Sequence, residues 1–125
     1  MRRPAGQPQA SGKQFIDAIA RVVSNAHELV VKNGFWSEEC YTPMGLVAKL
    51  GLITCEVAEV IECVRRGPDE PSAKCPDLTC EEEECADIFL RLADYCGARG
   101  IDLGTAALVK HEYNKTRPFK HGKKA

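Results

Sequence analysis

No run of this chain approaches the roughly 18 consecutive apolar residues a membrane-spanning helix needs, so no membrane partner is expected. Basic excess is missing too. The 17 Lys and Arg against 18 Asp and Glu leave a net charge of -1, and stable nucleic-acid binding usually shows as a positive surplus. No apolar region follows Arg2 and Arg3, so a secretory signal is not expected and residues 1–12 read as a flexible leader. Strand-like alternation of useful length is absent, which argues against a sheet. The seven cysteines form no Cys-x-x-Cys pair and are odd in number, which weakens both a disulfide framework and a zinc module. Cys75, Cys80 and Cys85 are the three that a zinc site would use. Cys55, Cys63, Cys85 and Cys96 fall in apolar helical patterns, where a free thiol acts as a small buried hydrophobe. Reduced thiols in a cytoplasmic protein are therefore expected.

What is present is helix. At 125 residues, with 44% hydrophobic and 28% charged content, the chain is long enough for one self-supporting domain, placed at residues 13–114. Apolar residues recur at helical spacing over residues 13–32, with Asn33-Gly34 as the stop. A loop with the single tryptophan, Trp36, follows, and a second helix is expected over residues 44–66, ended by Gly67-Pro68. Residues 67–79 hold three prolines and read as a loop. Thr79 caps a third helix reaching Gly97 or Gly100, and Asp102 caps a fourth. From Lys115 the chain is a basic tail. The fold class is all-α, a bundle of four main helices.

Four acids stand out inside this pattern. Glu56 and Glu59 sit among Ile53, Val57, Val60 and Ile61; Glu84 and Asp87 precede Ile88, Phe89 and Leu90. Residues three apart on a helix lie about 60° apart, so each pair projects from one face. Facing pairs would gather four carboxylates, which need a positive partner, and Mg²⁺ suits such hard oxygen donors. The plain alternative is a solvated acidic face. Glu62 and Glu81 to Glu83 fit that alternative, the latter three also favoured by the helix dipole. Lys49, seven residues before Glu56, either approaches a phosphate or neutralises these acids.

The end of the chain carries complementary chemistry. Lys110, Asn114 and Arg117 recur at spacings of four and three, so they line one face of the fourth helix and its exit. Arg forks onto phosphates, Lys supplies a point charge, and Asn can bridge a phosphate or a ribose hydroxyl. A solvated basic end that complements the helix dipole is the competing reading.

Over residues 46–122 these features resemble the MazG-like family of all-α nucleoside triphosphate pyrophosphohydrolases. The resemblance rests on Glu56-Val-Ala-Glu59, Glu83-Glu84-Cys-Ala-Asp87-Ile, Gly100-Ile-Asp102-Leu, and Lys110-x-x-x-Asn114-x-x-Arg117-Pro-x-Lys120-His121-Gly. It implies Mg²⁺-dependent (or Mn²⁺-dependent) cleavage between the α- and β-phosphates of a nucleoside triphosphate. Glu56, Glu59, Glu84 and Asp87 fall on the family's metal positions, with Glu56 or Glu59 as the general base. Lys110, Asn114 and Arg117 fall on its triphosphate-binding positions. Cys55 departs from the family, which often carries a second glutamate there. Trp36, Phe35 or Tyr41 would stack on the base, and Lys49 would join the substrate contacts. Association into a homodimer or homotetramer is also implied. Two other readings stay open: a phosphoribosyl-ATP-type pyrophosphohydrolase, and a non-catalytic helical interaction module.

Overall fold

The computed structural model describes residues 12–122, with side chains through residue 120. Most of the expected leader, and Lys123 and Lys124 of the basic tail, lie outside the described residues. The described chain is all-α: α1 Gly12–Lys32, α2 Pro43–Arg66, α3 Cys80–Arg99 and α4 Leu103–Lys115. Short 3-10 turns occupy Glu38–Tyr41 and Phe119–Gly122. Among the described residues no strand forms, and Pro71 and Thr79 make an isolated bridge.

The helix starts follow from side-chain caps. Thr42 accepts the Gly45 N–H with Pro43 as the first helical residue, where a missing N–H costs nothing. Thr79 accepts from Glu82 N while Glu82 accepts from Thr79 N, a reciprocal capping box. Asp102 accepts from Thr105 N to open α4. Gly100 closes α3 in the left-handed conformation.

The chain divides into two compact units. The smaller unit, in its described part, joins the start of α1 to residues 102–122. There Gly104 is buried against α1, and a Cβ on it would stand 3.0 Å from Ile16 Cα. The larger unit, Val22–Ile101, holds the rest of α1, the Trp36 loop, α2 and α3, with α2 packed along α3. Its buried residues are few: Cys63, Ala93 and Cys96, with polar Ser72 and Asp94.

At 100° per residue α2 shows two opposed faces. Lys49, Leu52, Glu56 and Glu59 share one. Val47, Leu50, Val57, Ile61 and Val64 run along the other at spacings of three, seven, four and three, and all five are exposed.

The cysteine expectations are overturned in two ways: Cys55 and Cys85, expected to be buried in apolar helix faces, are exposed, and not every thiol is free. Cys63 and Cys80 form a disulfide, with Cα atoms 5.9 Å apart and a sequence separation of 17. The loop they close doubles back on itself: Cys80 N donates to Glu70 O at 2.7 Å and Ser72 N to Leu78 O at 2.9 Å. This return brings the first residue of α3 against the last turns of α2. Cys63 is buried, as its apolar setting implied, but bonded to Cys80 and not as a free thiol. Cys80 is therefore committed to Cys63 and not to a group with Cys75 and Cys85, which are free and exposed.

Candidate functional site

The site lies wholly in the larger unit, in a cavity of about 780 Å³. That is within the range of pockets that hold small molecules. α2 contributes Glu56 and Glu59, and α3 contributes Glu84, Asp87, Arg91 and Asp94. The α3 residues recur at spacings of three, four and three, a single stripe along the helix. Ala26, Leu29 and Val30 of α1 make the wall apolar on one side. Phe35 is exposed and also lines the cavity.

Glu56, Glu84 and Asp87 each place a carboxylate oxygen within 4.8 Å of the others, and all three are half-buried. Glu59 lines the same cavity but stands outside this close trio, and it is exposed. Crowding shows in the acidities. Burial, then a hydrogen bond with Glu56 and the charges of Glu56, Asp87 and Glu83, push Glu84 above the ordinary carboxylate range. Burial, then the charges of Glu56 and Glu83, push Asp87 up as well, with Lys74 and Arg91 pulling the other way. Glu56 has a cationic partner: Arg91 Nε donates to its Oε1 at 2.7 Å across α2 and α3. A hard divalent cation fits this donor set, since oxygens from two helices converge and still carry uncompensated charge.

The neighbouring acids have local duties. Glu83 accepts from the buried Ser72 hydroxyl at 2.6 Å, and that hydroxyl accepts from Lys74 N and Cys75 N. Glu82 belongs to the capping box, and Glu62 lies 3.6 Å from Arg65 on the same helix. Their pattern in the sequence predicts a solvated face: Glu62 and Glu82 are exposed, whereas Glu83 is half-buried against Ser72.

Beyond the trio, Asp94 is buried and fully engaged. Trp36 donates its indole N–H to both carboxylate oxygens, at 3.0 and 3.1 Å, and His27 Nδ1 donates to Oδ1 at 2.8 Å. Close packing of α1 on α3 permits this. A Cβ on Gly97 would lie 2.6 Å from His27 Cβ, so only glycine lets the helices approach this far. Lys49 reaches neither Glu56 nor Glu59 by an ion pair. Its ammonium donates to Phe35 O at 2.6 Å and sits 4.4 Å from the Trp36 ring centroid. Tyr41 packs on the other neighbour, its ring centroid 5.1 Å from that of Trp36. Trp36 is thus hydrogen-bonded and packed, and of the three aromatic candidates Phe35 is the one that faces the cavity.

Lys110, Asn114 and Arg117 belong to the smaller unit. Lys110 and Arg117 flank Tyr113, at 4.6 and 6.0 Å from its ring centroid. They stay exposed, as does Asn114.

Three cavity residues escaped the acid-pair pattern: Lys74, Arg91 and Asp94. The stripe Glu84, Asp87, Arg91, Asp94 would have revealed two of them had the spacing been followed past the apolar run. Lys74 lies in a loop and carried no signal. Set against known proteins, the chain matches no family model, no curated protein and no solved structure. Among the described residues no helix is long and apolar enough to cross a membrane.

Proposed function

We propose that this protein is a divalent-cation-dependent nucleoside triphosphate pyrophosphohydrolase of the MazG-like, all-α kind, cleaving between the α- and β-phosphates. One observation carries the reading: carboxylates from two packed helices converge within 4.8 Å at the wall of a ligand-sized cavity. Glu56, Glu84 and Asp87 would hold Mg²⁺ or Mn²⁺, which when bound supplies charge neutralisation for phosphate and a more acidic water. Glu59, exposed and lining the same cavity, or Glu56 would accept a proton from such a water. Phe35 offers an open aromatic face for a nucleobase. Lys110, Asn114 and Arg117 enter the proposal through the resemblance alone, as triphosphate contacts to be tested by substitution.

The same reading takes the protein as a cytoplasmic homodimer. The exposed ridge of Val47, Leu50, Val57, Ile61 and Val64 supports a second copy on α2, since its spacing is that of a helix–helix seam.

The test is pyrophosphate release from a panel of ordinary and modified nucleoside triphosphates, with and without Mg²⁺, beside D87N. Release that needs Mg²⁺ and is lost in D87N is the expected result. No release from any nucleotide by folded protein would sink the catalytic reading and favour a helical interaction module.

A further inference from the structure

Arg91 is the side chain that ties the two acidic walls together. It follows Asp87 by four residues on α3, and its Nε reaches across to Glu56 on α2. Glu56 is largely shielded at 13% side-chain exposure, whereas Arg91 is 44% exposed and opens to the cavity. Among the described residues, its two terminal guanidinium nitrogens make no hydrogen bond. Those nitrogens carry four of the five donors of an arginine fork, and the group cannot shed its charge. The other cations of the cavity differ. Lys49 is held by Phe35 O and the Trp36 ring, and Lys74 makes no side-chain ion pair among the described residues.

We infer that Arg91 is a displaceable counter-ion: it holds Glu56 while the carboxylates carry no divalent cation, and it is released to grip a ligand phosphate once they do. The inference rests on the metal reading above and adds the residue that couples metal to phosphate. A Glu56 oxygen that coordinates a cation has less charge to offer a guanidinium, and the cation repels that guanidinium directly. The freed fork stays in the same cavity, on a long, half-exposed side chain. There it matches two phosphate oxygens with parallel N–H donors. Cation and phosphate therefore bind with positive coupling, each favouring the state in which Arg91 has left Glu56.

The experiment is calorimetric titration of the whole chain with Mn²⁺ alone, then with pyrophosphate at saturating Mg²⁺, for wild type, R91Q and K74Q. Circular dichroism checks that each variant is folded. R91Q is expected to bind Mn²⁺ about five-fold tighter, the scale of one partly exposed ion pair no longer broken. The same variant is expected to bind pyrophosphate about ten-fold more weakly, for loss of a charge-assisted fork. Opposite signs are the signature, since a residue that merely props up Glu56 would weaken both. K74Q separates the tether from general charge. Lys74 lines the same cavity but forms no ion pair with Glu56, so if general charge rather than the tether were at work K74Q would tighten Mn²⁺ binding as R91Q does. That result, or Mn²⁺ or pyrophosphate affinity unchanged in R91Q, overturns the inference. Absence of Mn²⁺ binding in wild type and variants alike overturns the metal reading beneath it.

Discussion

Trp36 donates one indole N–H to both oxygens of Asp94, at 3.0 and 3.1 Å, so a loop residue is anchored to the buried face of α3. His27 of α1 shares the same carboxylate. Removing Asp94 leaves two donors without a partner. D94A should therefore cost about 2–3 kcal/mol of stability, the range for losing hydrogen bonds to a charged group. Because Trp36 is the single tryptophan, its fluorescence reports the change directly. Urea unfolding followed by that emission checks it, and an unchanged midpoint would contradict the anchor.

The acid trio sets a pH dependence. Glu84 and Asp87 are raised in the folded protein, by burial first and then by neighbouring carboxylates. Between the ordinary carboxylate range and these raised values the folded state binds more protons than the unfolded state. Stability therefore falls as pH rises through that window, and the full penalty is present above it. In chelator, melting should rise as pH drops from neutral toward the ordinary carboxylate range. E84Q should flatten that slope, and it should melt a few degrees higher than wild type at neutral pH. Mg²⁺ should stabilise wild type at neutral pH and leave E84Q nearly unmoved. Thermal melts of both proteins across pH, with and without Mg²⁺, measure all of this.

The Cys63–Cys80 bond constrains the unfolded chain. Closing a loop of this length is worth about 3 kcal/mol in the chain-entropy account. Reductant should lower the wild-type melting temperature by about 10 °C on that scale. A protein already carrying C63S and C80S should not respond to reductant at all. A wild type equally indifferent would count against the bond.

Gly97 offers a test in which helix propensity and packing disagree. Alanine is intrinsically the better helix former by about 1 kcal/mol. Its methyl would nevertheless meet His27 Cβ at 2.6 Å and Val23 O at 3.3 Å. Overpacking of this kind costs about 1–3 kcal/mol, so G97A should be net destabilised. A chemical shift or fluorescence change at Trp36 should accompany it, because His27 and Trp36 share Asp94. A G97A protein more stable than wild type would show that α1 and α3 have room to spare.

Much of the fold was legible because its signals are local. Thr79 and Asp102 cap the helices they were expected to cap, and Gly67 and Gly100 close theirs. The acid pairs were legible as a site because charges embedded in apolar helix are unusual, and three of the four converge. Glu59 lines the cavity but remains apart from that close trio. The disulfide was hidden because it depends on how residues 67–79 return, which no spacing rule encodes. Arg91 was hidden because a search for carboxylates passes over the cation between them. Asp94 was hidden for the opposite reason: one acid deep in an apolar run looks like noise until its two donors arrive from distant segments.

The ring closed by Cys63 and Cys80 also changes what a broken chain looks like. Residues 69–71 and 73–78 of the loop are exposed, and all of them lie inside that ring. A protease that nicks there severs the backbone but not the molecule. The two fragments travel together as one species until a reductant parts them.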